Sequence, residues 1–296
     1  MNRALQSLLA PGSRAFAVIR RTVSRTFEDG FIHSGNLAYL SMLALFPFFI
    51  LGAALFELIG GRANAEVIVM TVVAGLPPAV AEEIRPAAIA AVHARKGWVL
   101  WLGAGIALWT VSSLIETIRD ILRRAYDTGT NGTAFWKYRL GSIGLILASV
   151  VAMMLSLFAQ VAIGAAQQVI LSTFPQLGEA IAVLRLTRLV PAVLLAASLW
   201  ALFYSLTPQP YRYGDCPKWP GALATTLWWI AVATALPVIL RYFLSFDLTY
   251  GSLAGIMVTL FFFWLIGLGV VIGAEMNAAL AQEGEPAQGT AKEVAQ

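Results

Sequence analysis

Few side chains in this sequence could do chemistry, and their types and spacing exclude more than they allow. There are two histidines, His33 and His93, and one cysteine, Cys216. A lone thiol makes no intrachain disulfide and no thiolate metal cluster. There is no His-Glu-x-x-His pair for a zinc hydrolase and no Gly-x-Ser-x-Gly nucleophile elbow. A phosphate loop is missing too, since Gly129 to Gly132 lacks the Lys and Ser or Thr that should follow. Hydrolysis needs a positioned nucleophile and base, or a metal. No enzyme activity, metal or cofactor is therefore expected. The arginines are dispersed, and the aromatics gather in apolar runs rather than alternating with basic residues, so no nucleic-acid partner is expected either.

What remains are polar groups set in or beside apolar runs: Asn36, Tyr39, Ser41, Ser112, Ser113, Glu116, Glu275 and Asn277, with Pro47 among them. Ionisable groups at membrane depth are costly and mark functional candidates; at the ends of spans they also serve as ordinary helix-to-helix links. Glu275 stands out. A carboxylate near a helix C-terminus is opposed by the macrodipole. It should have a cationic partner, which the sequence offers among the arginines of residues 119–139. The pair is either a structural ion pair or a gating or proton-coupled element. His33 and His93 are expected at opposite membrane surfaces.

The elements that must position these groups follow from composition and period. The chain is 59% apolar and 12% charged, with a mean hydropathy of +0.76. Soluble proteins carry about 25% charged residues. Part of the solvent must therefore be lipid, and the expected fold is all-α: a polytopic membrane helical bundle with interfacial amphipathic helices. Six apolar runs read as spans, at 37–56, 98–115, 140–165, 189–206, 221–240 and 251–274. Pro47 is expected to kink the first. The second runs into Glu116, Arg119, Asp120, Arg123 and Arg124, whose three- and four-residue spacings suit helical ion pairs, so its helix should continue beyond the membrane.

The last run carries no charge from Gly251 to Ala274. At about 100° per residue, Gly251, Gly255, Thr259, Gly269, Gly273 and Asn277 fall in one narrow arc. Small residues on one face admit a close helix neighbour. A face lining a substrate path is the other reading. Residues 60–97 are too charged for a clean span and should hold an outer interfacial helix over 79–96, with a re-entrant segment as the alternative. Comparing the two halves of the chain gives no convincing inverted repeat.

Residues 1–36 form an expected cytoplasmic segment. Arg14, Arg21 and Arg25 share one helical face, and Phe16, Ile19, Val23 and Phe27 another. Such a helix either lies on an anionic membrane surface or docks on the protein's own loops. No apolar core followed by a cleavage site is present there, so a cleaved signal peptide is not expected. The membrane domain is expected over 37–281, with 282–296 a disordered tail. Thirteen of the twenty Lys and Arg residues fall on the side of the two termini in this arrangement, which predicts cytoplasmic termini.

The ordered motifs then resemble the YihY/BrkB family of bacterial inner-membrane proteins, some once labelled ribonuclease BN. The residues that carry the resemblance begin with Ser34-Gly35-Asn36-Leu37-Ala38-Tyr39, Leu45-Phe46-Pro47 and Trp109-Thr110-Val111-Ser112-Ser113. Arg123-Arg124-Ala125-Tyr126, Phe135-Trp136-Lys137 and Pro220-Gly221-Ala222 with Trp228 continue it. Tyr250-Gly251-Ser252-Leu253-Ala254 and Gly273-Ala274-Glu275-Met276-Asn277-Ala278 complete it, over about residues 20–280. Gly35-Asn36 departs from the small apolar residues more usual there. The resemblance implies six helices, cytoplasmic termini and residence in the cytoplasmic membrane. It also implies a link to the cell envelope, including serum resistance and lipopolysaccharide export. Membrane lipids are thus the expected partners, with an envelope lipid or small molecule as substrate. The readings that follow are a translocator without its own ATPase, a non-catalytic envelope-assembly scaffold, and, least supported by the residues, a nuclease.

Overall fold

The computed structural model describes residues 13–59, 70, 73–74, 76–93, 98–129, 140–144, 190–213, 216–243 and 253–282. Ser13 opens α1 (Arg14–Arg25) as its N-cap, its Oγ accepting from the Phe16 N–H at 3.2 Å. The helix does not end before the first apolar run. It passes through a π-helical turn, Thr26–Gly30, directly into α2 (Phe31–Ile59), with right-handed helical backbone at Arg25, Thr26 and Phe31. A π-turn inserts one residue and re-aims the helix face that follows. Gly30 sits where this happens. A Cβ there would lie 3.1 Å from Thr26 Cγ2 and 3.2 Å from Val271 Cγ1, and the Ser34 hydroxyl donates to the Gly30 carbonyl at 2.6 Å. The helical path therefore has no break at residue 36, and α2 runs through position 47.

α3 (Pro78–His93) begins with proline where its missing N–H is harmless. Val80, Ala81, Ile84 and Ala88 are buried on one side, and Glu82, Glu83 and Arg85 are exposed on the other. α4 (Trp98–Ala125) continues through the charged segment after Ile115. α5 (Val190–Leu206), a short α6 (Gln209–Arg212), α7 (Trp219–Phe243) and α8 (Ala254–Gln282) complete the set, with no strand among the described residues. Three helices are long and apolar enough to cross a membrane, at Trp101–Ala125, Trp219–Leu240 and Ala254–Gln282. Two shorter apolar helices, Phe31–Leu45 and Ala192–Leu206, accompany them. The protein is a multi-pass, all-helical membrane protein. The run at 140–165 lies outside the described residues beyond residue 144, as do Gly251 and the tail.

α8 is the hub, touching α1, α2, α3, α4 and α7. Two apolar clusters fill the bundle. One joins Phe49 of α2, Val80 and Ile84 of α3, Leu236 of α7 and Phe262 of α8. The other joins Leu37 of α2, Leu122 of α4, Phe203 of α5, Ala222 of α7 and Ala274 of α8. The second cluster thus gathers the starts of α2 and α7 with the ends of α4, α5 and α8, which is the up-and-down order of a bundle.

Candidate functional site

Three polar constructions are built into this frame, and each draws on sequence candidates differently. The first is the seam between α7 and α8. The glycine arc of α8 is where other elements press closest. A Cβ on Gly269 would meet the rings of Trp228 and Trp229. One on Gly273 would meet Thr225 Oγ1 and lie 2.7 Å from the Gly221 carbonyl oxygen. Gly255 faces a different neighbour, the Glu83 side chain of α3. Because the backbones are so near, side chains of α7 reach main-chain carbonyls of α8. Trp228 Nε1 donates to Leu265 O at 2.8 Å and Trp229 Nε1 to Ile266 O at 2.9 Å. Thr225 Oγ1 donates to Gly269 O at 2.9 Å.

Asn277 closes this seam. It is 1% exposed; its Oδ1 accepts from the Gly221 N–H at 2.8 Å and its Nδ2 donates to Lys218 O at 3.1 Å. α7 starts at Trp219 after Lys218, which has no side-chain oxygen to cap a helix, and Pro220 offers no N–H. The amide of α8 supplies the missing N-cap from another helix. Asn277 is therefore a structural residue of the α1 end. The sequence signal was present but indirect: a helix start at Cys216-Pro217-Lys218-Trp219 without a capping residue.

The loop before α7 is tied in the same manner. Arg212 donates through Nε to Thr207 O at 3.1 Å and through Nη2 to Ser205 O, satisfying carbonyls at the end of α5. Lys218 Nζ donates to Arg212 O at 3.1 Å. Burial lowers the Lys218 pKa, partly opposed by Cys216.

The second construction is a junction at Asp127. α4 ends in a Schellman-type turn, with Thr128 N–H to Arg123 O at 2.9 Å and Asp127 N–H to Arg124 O at 3.0 Å. Asp127 takes φ +51° there, a conformation more often given to glycine. Its carboxylate explains the exception. Arg25 of α1 grips it with two hydrogen bonds, Nη1 to Oδ1 at 3.1 Å and Nη2 to Oδ2 at 2.8 Å. Arg21 approaches Oδ2 at 3.6 Å, and Gln282 at the end of α8 donates to it at 3.4 Å. The Arg25 pKa is raised, chiefly by the Asp127 hydrogen bond; burial opposes this, and the charges of Asp127, Glu275 and Glu28 add to the rise. The charge of Glu275 thus reaches Arg25 of α1.

The third construction is the polar face of α4. Thr110, Ser113 and Thr117 return their hydroxyls to the carbonyls four residues back, at 3.0, 3.1 and 3.0 Å. Ser112 is fully buried, and among the described residues its Oγ has no hydrogen-bond partner; nor has Oγ1 of the buried Thr259 on α8. One and two turns on from Ser112, Glu116 Oε1 and Arg119 Nη1 are shielded from solvent, and Arg119 Nη2 donates to the buried Ser142 hydroxyl at 3.2 Å. A serine, a carboxylate and a guanidinium therefore share about two turns of a membrane helix.

The remaining sequence candidates separate from these groups. Asn36 and Tyr39 are exposed, and Ser41 is half-buried. The side chain of Pro47 and all of Gly251 lie outside the described residues. Among the described residues no three His, Cys, Asp or Glu side chains come together as a bound metal would require.

Comparisons with known proteins agree on one relationship. The family model described as virulence factor BrkB matches residues 24–296. A curated relative from Bacillus subtilis (strain 168), the protein YfkH named as ribonuclease-like, is 30% identical over 267 residues, covering 86% of this chain and 91% of that protein. No solved structure matches.

Proposed function

The chain belongs to the BrkB family, and from that premise we propose that it is a translocator, without its own ATPase, for an envelope lipid or another envelope component in the bacterial inner membrane. The observation that carries this reading is the polar face of α4. Ser112, Glu116 and Arg119 share one face of α4 within the stretch Trp101–Ala125 that is long and apolar enough to span, although charge spacing alone suggested that the helix leaves the membrane after Ile115; ionisable groups shielded inside such a span mark substrate or ion pathways. A path along α4 would pass the buried Ser112 hydroxyl and then an acid and a base. That combination suits a zwitterionic or phosphate-bearing headgroup.

Six spans with cytoplasmic termini complete the proposal. α4 and α5 both end at the α1 end of the bundle. α5 begins about 25 Å away, by its length of 17 residues. The proposed span at 140–165 is the segment that would join them. The excess of Lys and Arg beside the termini supports a cytoplasmic α1 end.

The test is purified protein in liposomes carrying headgroup-labelled phospholipid, with accessibility to a membrane-impermeant quencher read over time. Transport that falls at least ten-fold in Glu116→Gln and Arg119→Gln, while Gly105→Ala keeps it, is the expected result. No movement of any labelled lipid by the folded wild-type protein would overturn the reading.

A scaffold role is favoured by one specific observation, the close-packed α7–α8 seam, which resembles a fixed joint more than a moving one. It predicts that Glu116→Gln retains full envelope function. A ribonuclease activity, suggested by the relative's name alone, is tested by incubating the pure protein with precursor tRNA and a divalent metal, and no cleavage is expected.

A further inference from the structure

We propose that α1 holds the headgroup of an anionic phospholipid, with a phosphate at Arg20 and Arg21 and an acyl chain along the helix's exposed apolar stripe. α1 carries three separate faces. Val18, Thr22 and, in the following turn, Thr26 are buried against the bundle. Arg21 and Arg25 lie on a second side, engaged with Asp127. The third is apolar and open: Phe16, Ile19, Val23 and Phe27 are 36%, 50%, 49% and 66% exposed. A helix with an unburied apolar stripe beside arginines is the pattern of an interfacial membrane contact.

Two further observations assign the occupant. A shallow cleft of about 330 Å³ is lined by Ala17, Arg20, Arg21, Ser24, Arg25 and Glu28. At 100° per residue it opens directly beside the Phe16–Phe27 edge of the stripe, so a charged head and an apolar tail could be held side by side. Arg20 forms no ion pair among the described residues. Among the described residues that line the cleft Glu28 is the one carboxylate, and it accepts from the Ser24 hydroxyl at 3.1 Å. Asp127 engages Arg21 and Arg25 and the charge of Glu275 reaches Arg25, so Arg20 is the cation that the cleft leaves open to a ligand.

The stripe is also continuous with the outer surface of the bundle. Phe27 meets Phe31 edge-on at 5.4 Å, Phe31 stacks on Trp264 at 5.6 Å, and Trp264 stacks on Phe261 at 5.9 Å. Trp264 Nε1 donates to Phe31 O at 3.3 Å, which fixes that ladder. The apolar face of α1 thus joins the face of α8 that looks outward into lipid, and a lipid is the partner that can follow both. This site stands whether or not the bundle transports.

The test uses the full-length protein in a neutral detergent, with bound lipid counted by native mass spectrometry. Phosphatidylglycerol, phosphatidylcholine and soluble glycerol 3-phosphate are titrated separately. Preferential binding of phosphatidylglycerol is expected, weakened about five-fold for each of Arg20→Gln and Arg21→Gln, and unchanged in Arg14→Gln. Ile19→Ser with Val23→Ser should weaken both lipids. Because Arg20 has no ion pair to lose among the described residues, Arg20→Gln alone keeps the test clear of unfolding. Equal binding of the two lipids by the wild type, or full phosphatidylglycerol preference in Arg20→Gln with Arg21→Gln, would overturn the assignment. So would binding of glycerol 3-phosphate as tight as that of the lipid, which would make this a site for free phosphate esters.

Discussion

Replacing Gly273 by alanine should separate two helices that the fold needs in contact. The added methyl would lie 2.7 Å from the Gly221 carbonyl oxygen and 2.9 Å from Phe203 Cζ, and closer still to Thr225 Oγ1. An ordinary carbon–oxygen contact is about 3.3–3.6 Å, so α7 must retreat by roughly 0.6–0.9 Å. The hydrogen bonds from Thr225, Trp228 and Trp229, and the Gly221 N–H bond to Asn277, are now 2.8–2.9 Å. A retreat of that size carries them to about 3.5 Å, the limit of useful geometry. At about 0.6 kcal/mol for each interhelical bond in a membrane, their partial loss adds about 1–2 kcal/mol to an overpacking cost of about 1–3 kcal/mol. Alanine's better helix propensity returns about 0.5–1 kcal/mol. The expected net destabilisation is about 1–4 kcal/mol.

Gly105→Ala is the matched control, because a Cβ there has nothing within 4 Å. It should be neutral or stabilise by up to about 1 kcal/mol. Both variants are compared by denaturant unfolding of the full-length protein in bicelles, followed by far-UV circular dichroism. Thr225→Ala should rescue Gly273→Ala only in part, since the Gly221 carbonyl remains in the way. Gly273→Ala and Gly105→Ala agreeing within about 0.5 kcal/mol would refute the close approach.

Other perturbations probe the junctions. Asn277→Ala strips the N-cap of α7 and leaves Lys218 O with only the long 3.4 Å bond from the Ala222 N–H, so unfolding measurements should show a loss of about 1–2 kcal/mol, while Asn277→Asp keeps the acceptor half and loses less. Asp127→Asn tolerates the left-handed conformation but loses the charge. With side chains 36% and 50% exposed, solvent screens the Arg25 pair, and the stability change should not exceed about 1 kcal/mol and should shrink in high salt. Asp127→Ala should lose about 1 kcal/mol more because of its positive φ; an alanine variant as stable as the asparagine one would contradict this. Burial holds the Tyr126 phenol protonated well above its ordinary pKa of 10.0. The unfolded chain releases that proton first, so this stabilisation is present below pH 10.0 and is lost as pH rises toward the folded value. Tyr126→Phe keeps the ring 5.0 Å from Tyr211 and should flatten the alkaline fall in melting temperature relative to wild type.

Membrane residence, helical class and the arginine and apolar faces of α1 are legible in the sequence because they depend on composition and on a local period; its third, buried face at Val18, Thr22 and Thr26 is not. The continuation of α4 through Glu116–Arg124 is legible for the same reason: its ion-pair spacings and amphipathic period are properties of one segment. The small-residue arc of α8 was visible too, but not what each member would meet. Gly269 and Gly273 face α7, whereas Gly255 faces Glu83 of α3. That division depends on how far each neighbouring helix extends, which no single segment encodes.

Asn277, Asp127 and Glu275 show where local reading stops. In the sequence Asn277 and Glu275 are polar residues near the end of an apolar run and Asp127 opens a glycine-rich turn, and a structural link and a substrate ligand look the same there. Asn277 becomes a cap only because Gly221, 56 positions away, brings an unsatisfied N–H to it. Asp127 holds its left-handed turn in the grip of an arginine 102 positions earlier. The charge of Glu275 reaches that same arginine once α1 is laid against α8. A side chain's hydrogen-bonding capacity is local, whereas its partner is set by the register and separation of whole helices. The sequence by itself therefore determined that these groups would sit at the bundle's end, and only the tertiary structure decided which of them hold it together.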